Sequence, residues 1–401
     1  MAGTIVVDNI QSDSSYASTI NVQSKINFTG GVQIGGVDSA MSGMRNRVIN
    51  GDFRIDQRRV GTAQTNVTGG ADYWLADRWR VGGSALTGKM TFQTVADAPP
   101  GFVNSGKITV TTAQPSYNTS DVSVLSQIIE GNNLADFGWG SAAATAASFS
   151  FWVKASVTGT YNVSIRSDNV SNNYSYCAAY TVLQANTWEY KTISIPATVV
   201  GNWGGLTLSN TYGIRIDWNL GCGTDSTVTP NTWVNTASAF QSTGAVKILS
   251  TLNSTWQITG VQLEKGSVAT PFEYRSITNE LQLCQRYFYK TFEPGIKPID
   301  NASVGVYGTV AAYSSSSCYL GTWFKYPVTM RAPPSTVTLY GMAGSTGTFD
   351  VYTSASWQPF TTVGINTSSS EGIAFYATKT SAFTAWGAYL FAGNLTVSSE
   401  L

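Results

Sequence analysis

"SFSFWVK", residues 148–154, is the stretch on which the fold turns. In an extended chain successive side chains face opposite ways, so Phe149, Phe151 and Val153 share one face while Ser148, Ser150 and Lys154 take the other. "TYNVSIR" (160–166) repeats the pattern with Tyr161, Val163 and Ile165, and "YGIRIDW" (212–218) with Ile214, Ile216 and Trp218. Each alternation predicts an antiparallel strand with one covered face. Adding "GKITVTT" (106–112), "YKTISIP" (190–196) and "WQITGVQLE" (256–264) supplies enough strands for a two-sheet sandwich of jelly-roll type. The helices of about 10 to 15 residues that a parallel α/β sheet needs between its strands do not appear.

Composition agrees with an all-β chain. Of the 401 residues only 11% are charged and 12% are aromatic, with Ser, Thr, Asn and Gly abundant. Lys plus Arg and Asp plus Glu both number 23, so no net field steers the protein toward nucleic acid or an anionic membrane, and the expected partners are neutral glycans or proteins. The opening "MAGTIVVDNIQSDSSYAST" (1–19) lacks the charged and apolar regions of a signal peptide. No run of about 18 apolar residues follows, so synthesis in a cytosol and no membrane insertion are expected. Cys177, Cys222, Cys284 and Cys318 are scattered and read as buried apolar residues.

The chain divides into four parts. Residues 1–45, with "TIVVDNI" and "SKINFTGGVQIGG" broken by Ser and Gly, cannot build a core alone and read as a short extended arm for docking or oligomerisation. Residues 46–276 form the jelly roll. In "SITNELQLCQRYF" (276–288), Ile277, Leu281, Cys284 and Phe288 are spaced 4, 3 and 4, which makes 277–290 a helical connector with Ser276 or Thr278 as N-cap. Its seam either packs on the sandwich or self-associates about a symmetry axis. The charges of "LEKG" (263–266) and "EYRS" (273–276) are expected to fix the connector's path as local, exposed pairs. Residues 291–401 carry about six more β patterns, among them "CYLGTWFKY", "GIAFYATK" and "AWGAYLFAG", and predict a second small sandwich at the C-terminus.

Catalytic chemistry is sparse. The chain has no histidine, which removes imidazole-assisted nucleophiles and His-ligated zinc. Phosphate-cradling glycine loops and EF-hand patterns are missing too, so no cofactor, metal or catalytic residue is assigned and no enzyme is expected. Two suitably spaced carboxylates would suffice for a glycosidase, but nothing selects a pair. Arg45, Arg47, Arg54, Arg58 and Arg59 form a basic cluster interleaved with Asp52 and Asp56. It reads as a strand edge or as the junction of the arm with the first sandwich, because a nucleic-acid groove would need more stacking aromatics than Phe53. Trp203 in "GNWGG", Trp233 in "PNTWVN" and Trp357 in "ASWQPF" sit in loop-like segments and are the candidate glycan-binding residues, since an indole face stacks on sugar C–H groups.

"NRVINGDFRIDQRR" (46–59), "YWLADRWR" (73–80) and "ITGVQLEKGSVATPFEYRSITNELQLCQRYF" (258–288) together resemble, in order and spacing, bacteriophage virion appendage proteins of the tail-fibre-like kind. "FKYPVTMRAPP" (324–334) and "MAGTIVVDNIQS" (1–12) extend the resemblance. It implies a jelly roll similar to carbohydrate-binding modules, a helical connector and a variable β tip. It further implies a homotrimer that docks on other virion proteins through the N-terminal arm, at a tail hub, an adaptor or the head. The protein would then recognise a host surface polysaccharide for adsorption, through either β domain, as a virion protein made in the host cytoplasm. Some such jelly rolls hold a structural calcium, and Asp52 and Glu264 stand in comparable places without a complete ligand set. The alternatives are a decoration protein of head or tail without a receptor and, further off, a polysaccharide depolymerase.

Overall fold

The computed structural model describes residues 33–34, 37–38, 44–68, 73–84, 86–167, 174–198, 209–299, 305–342, 347–353, 355–380 and 383–401. The protein is all-β, built on two principal hydrophobic cores. In the first, a seven-stranded antiparallel sheet runs in the order Trp233–Asn235, Tyr174–Val182, Gly159–Ser167, Tyr212–Cys222, Val122–Glu130, Arg80–Gly83 and Tyr73–Trp74. A six-stranded sheet, Glu189–Ile195, Ala147–Ala155, Thr255–Lys265, Ser105–Thr112, Lys89–Val95 and Gln64–Val67, packs against it. From Val122 onward the chain passes back and forth between the two sheets, which is the jelly-roll path. Phe149, Phe151 and Val153 are fully buried, as are Ile214, Ile216 and Trp218 on the facing sheet, but the strands are not half-covered as the alternation predicts, since Ser148, Ser150 and Asp217 on the polar faces are buried too. Trp218 lies 5.5 Å from the Phe149 ring, 6.0 Å from Phe151 and 5.5 Å from Trp79, so large aromatics fill the space between the layers.

The charges of 263–276 are not local exposed pairs. Glu264 is fully buried and accepts hydrogen bonds from the Thr270 amide at 2.8 Å, the Thr270 hydroxyl at 2.6 Å and Gln262 Nε2 at 2.8 Å. The Glu273 carboxylate accepts from the backbone amides of Asn46 at 2.8 Å and Arg45 at 3.2 Å. Arg275 ties that carboxylate at 3.0 Å to the carbonyls of Asn46 and Val48. The stretch therefore clamps the entry of the sandwich to its exit, satisfying backbone groups of residues 45–48 that have no ladder partner.

The connector helix spans Ile277–Gln285, with Ser276 Oγ accepting from the Asn279 amide at 3.2 Å as N-cap. Cys284 is buried against Ile49, Ile55 and Tyr287, whereas Ile277 stays exposed. The helix ends before 290 because the next residues are recruited elsewhere. Arg286 grips Glu130 through two bonds of 2.9 Å, and the Tyr287 hydroxyl donates to the same carboxylate at 2.5 Å. Phe288–Lys290 is consequently a strand of the C-terminal sheet and not the last helical turn.

That sheet has nine strands organised by one long strand, Ala388–Ser398. Its first half pairs with Val306–Ala312 and Asp350–Thr353, and its second half with Phe288–Lys290 and Thr336–Tyr340. The change of partners falls at Gly393, φ +156°, where a Cβ would come within 2.7 Å of the Tyr340 carbonyl oxygen and 2.6 Å of the Phe349 ring, so only glycine permits the bend. Phe349 packs edge to face on Phe375 at 5.5 Å and tilted on Phe391 at 5.9 Å behind it.

A buried ion pair joins the two cores. Arg78, 1% exposed, pairs with Glu400, donates to the Ile128 carbonyl and lies over the Tyr287 ring at 3.4 Å; Glu400 also takes Arg58 at 2.8 Å. Replacing Glu400 with Gln leaves Arg78 buried without its counter-charge and is expected to cost about 3–5 kcal/mol, read as a lower urea midpoint. Beside it, Asp77 is fully buried and accepts from the Gln57 amide and Nε2, each at 2.6 Å. Burial pushes its carboxyl up to about 6 against the opposing pull of Arg58 and the Gln57 hydrogen bonds. Between about pH 4 and this value the folded state holds a proton that the unfolded chain has lost, so the stabilisation is full below about pH 4 and fades as pH rises through about 6. The urea midpoint is expected to fall across that window, and Asp77→Asn to flatten the fall.

Candidate functional site

The outer face of the C-terminal sheet carries the most prominent exposed aromatic surface among the described residues. Alternation puts Cys318 and Leu320 inside and Tyr319 outside, Phe375 and Ala377 inside and Tyr376 outside, Val351 inside and Tyr352 outside. Tyr319, Tyr376 and Tyr352 are 51%, 41% and 42% exposed, while their inward neighbours are at most 1%. Register brings these side chains together. Tyr319 stands directly opposite Tyr376, and Tyr352 directly opposite Trp357, their rings 5.4 Å apart in an edge contact. Leu390, also exposed, continues the Tyr352 row toward Thr309. Tyr313 lies 5.1 Å from the Tyr319 ring, and Trp323 rests on Gly372 at the far end of the same strand pair.

The surface between the rings is neutral. Thr309, Ser317, Thr362 and Thr378 share the outward register, and the Thr362 and Thr378 hydroxyls meet at 2.6 Å. The ring of Tyr376 lies flat over Gly364, where any Cβ would approach its atoms to 2.3 Å, so glycine is required for the tyrosine to lie down on the sheet. At about 4.8 Å per strand step, the seven strands from Ser356–Pro359 to Thr362–Ser368 span roughly 29 Å. The arrangement offers flat apolar faces alternating with hydroxyl donors and acceptors.

Of the three tryptophans singled out from sequence, the two that are described, Trp233 and Trp357, lie in different sheets. Trp203 lies outside the described residues. Trp233 opens the edge strand Trp233–Asn235, not a loop; its indole Nε1 donates to the Pro196 carbonyl at 3.0 Å and its ring packs on Trp139 at 5.5 Å and Tyr176 at 5.2 Å. Trp357 also lies in a strand, Ser356–Pro359, and belongs to the aromatic face. Both strands are too short for period-2 alternation to register in the sequence.

The jelly roll's seven-stranded sheet has its outer side covered in part by the segment 223–247. Ser164 donates to the Ala239 carbonyl, Asn162 Oδ1 accepts from the Ser242 amide at 3.0 Å, and Arg166 donates to the Ala237 carbonyl at 2.6 Å. Beneath it Asp217 is fully buried. Burial alone would raise its carboxyl, but Arg215 and Arg166, together with Ser126, hold it below the ordinary range. Asp52 pairs with Arg54, and Glu264 is engaged as above; among the described residues no group of three His, Cys, Asp or Glu is placed to hold a metal. The basic cluster is divided: Arg45 reaches Glu264, whereas Arg58 and Arg59 line the junction with the C-terminal core.

No family model matches the chain, and no curated protein matches it in sequence. Among solved structures it is similar to the enzymatically active domain of bacteriophage CBA120 tailspike protein 4, with TM-score 0.29, 15% identity and coverage of 56% of this chain and 22% of that one. The chain thus spans less than a quarter of the tailspike's length. It is also similar to a CBM4 protein (TM-score 0.27, 14% identity, 54% of this chain and 97% of that one). A third similarity is to the CBM22-2 xylan-binding domain of Paenibacillus barcinonensis Xyn10C (TM-score 0.26, 14% identity, 47% and 91%). Similarity of this degree says nothing of function.

The two faces of the C-terminal sheet make opposite demands on stability. Phe375→Ala is expected to destabilise the protein by about 3–5 kcal/mol. Tyr376→Ala, one residue on and facing water, is expected to stay within about 0.5 kcal/mol of the parent in the same urea titration.

Proposed function

We propose that the protein is an adhesin that recognises a surface polysaccharide, and that the aromatic face of the C-terminal sheet is where the glycan lies. The observation that carries this reading is the neutral surface on one rigid sheet where Tyr352, Tyr319 and Tyr376 are exposed and the half-buried Trp357 stands against Tyr352. Aromatic side chains are ordinarily withdrawn from water, and a contiguous exposed apolar patch marks a site of interaction. Flat rings separated by hydroxyls suit the alternating C–H and O–H faces of pyranose units, and an uncharged surface suits a neutral glycan.

In this reading the chain is a bacteriophage virion appendage, and the motifs at 46–59, 73–80 and 258–288 support that placement. It assembles as a homotrimer, docks on the particle through its N-terminal arm and turns the C-terminal sheet outward to the host. Three copies let weak single sites act together, because linked sites raise the effective concentration without new contacts. Recognition is reversible and involves no catalysis.

The test is adsorption with the purified full chain, its mass fixed by light scattering. A trimer that binds host cells and competes with phage particles supports the adhesin. Each of Tyr319→Ala, Tyr376→Ala and Trp357→Ala is expected to weaken binding to the purified polysaccharide by about two- to tenfold, as loss of one aromatic stacking contact implies. A trimer that binds neither cells nor polysaccharide replaces this reading with that of a decoration protein, and a triple variant that binds like the parent removes the glycan from the aromatic face.

A further inference from the structure

Five strands of the C-terminal sheet contribute to one cross-strand row on its outer face: Ala388, Ala311, Tyr319, Tyr376 and Gly364. Alanine and glycine are poor strand residues, yet they hold three of these five positions. Gly364 is accounted for by the Tyr376 ring that lies over it. Ala311 and Ala388, in contrast, stand exposed directly opposite each other. Residues two apart on a strand share a face at about 7 Å. Along one strand Ala311 therefore stands between Thr309 and Tyr313, and along the other Ala388 stands between Trp386 and Leu390, while Tyr319 closes one side. All five neighbours are larger and exposed. The alanine pair is thus the floor of a recess one side chain deep.

The end of this recess is held in an uncommon way. Trp386 is 83% exposed, more than any other large apolar side chain among the described residues, and its φ of +67° is a left-handed conformation that an aromatic residue adopts at a cost. The turn is pinned all the same: the Trp386 amide donates to the Ala312 carbonyl, the Gly387 amide to the Thr384 carbonyl at 2.9 Å, and the Ala312 amide to the Gly387 carbonyl at 3.0 Å. A side chain that adds almost nothing to the core and strains its own backbone points to a contact made from outside. The surroundings are uncharged. Within residues 306–320, 355–368 and 372–390 the one charged residue is Lys379, whose Nζ donates to the Pro359 carbonyl at 2.8 Å. We infer that the recess takes a methyl group carried on the glycan, either the C6 methyl of a 6-deoxyhexose or the methyl of an N-acetyl group, with Trp386 as its end wall. A hydroxyl that reaches the floor is stripped of water and meets only two alanine methyls, whereas a methyl group loses nothing there. The inference rests on the aromatic face being the glycan site and names the sugar that this face selects.

Saturation-transfer NMR on the full chain tests this with pairs of free sugars that differ at the group in question: L-fucose against L-galactose, L-rhamnose against L-mannose, and N-acetyl-D-glucosamine against D-glucose. In at least one pair the methyl-bearing sugar is expected to bind about fourfold or more tightly than its counterpart, the effect of burying one methyl, with its methyl protons the most strongly saturated. The pair that responds tells the C6 methyl from the N-acetyl group. Ala311→Leu, which fills the recess, is expected to erase the preference while melting like the parent. Trp386→Gly is expected to weaken binding by about two- to tenfold and to melt no lower than the parent, because glycine adopts this φ without strain. No binding of any methyl-bearing sugar, equal binding within every pair, or an undiminished preference in a folded Ala311→Leu variant overturns the inference. Equal binding within every pair leaves the aromatic face standing as the glycan site, and that reading fails separately, when the triple variant of Tyr319, Tyr376 and Trp357 binds polysaccharide like the parent.

Discussion

A guanidinium removed from water needs a counter-charge and hydrogen-bond acceptors, and the placement of Arg78 makes this requirement organise the molecule. It sits in the tight turn of "ADRW" with φ +71°, held there by the Asn50 side chain bonded to the Asp77 carbonyl and by Trp79 Nε1 bonded to the Asn50 carbonyl. From that turn it needs a carbonyl, a ring and a carboxylate, and each comes from a different part of the chain: Ile128, Tyr287 and Glu400. Supplying them draws one sheet of the sandwich, the end of the helix and the C-terminal segment to a single point. A buried pair contributes little net stability compared with apolar packing, but it tolerates few alternative arrangements. Its role here is to set how the two cores meet.

The same joint explains why the connector is short. Glu130, buried on the sandwich, is gripped by Arg286 and Tyr287, so the chain leaves its helix at the point where these two residues are needed. The next three residues add a strand to the C-terminal sheet. Arg331 reinforces the contact from the other side, donating to the carbonyls of Ser399 at 2.7 Å and Asn210 at 3.1 Å. The two cores are thus joined by directed polar bonds, together with a small apolar cluster of Ile49, Ile55, Cys284 and Tyr287 against which Leu401 packs.

Much of this architecture was legible in the sequence, for a physical reason. Strands with one covered face write their burial as period two, and Phe149, Phe151, Ile214, Ile216 and Trp218 could be placed from that alone. The end of the helix could not, because Phe288 continues the 4-3-4 spacing and only the tertiary demand of Glu130 overrides it. The aromatic face was half legible. Trp357 was among the candidates, but "CYLGTWFKY" bears large apolar residues in both registers, and nothing local tells whether Tyr319 or Leu320 meets the core. The basic cluster was visible as composition, yet its partner wall lies more than two hundred residues away, at Lys297 and Glu400, where no spacing rule reaches.

One feature of the C-terminal sheet bears on how the protein is made. The strand Ala388–Ser398 is central, bonded to four others, and all four precede it in the chain. Among the described strands Phe288–Lys290 and Thr336–Tyr340 pair with this strand alone, so the sheet cannot close until residue 398 has emerged. The sandwich, whose closing strand ends at Lys265, faces no such delay. Folding proceeds from the first core to the second, and the paired strands from 306 onward wait with open edges beside a finished domain, in the interval when neighbouring chains on the same message are nearest.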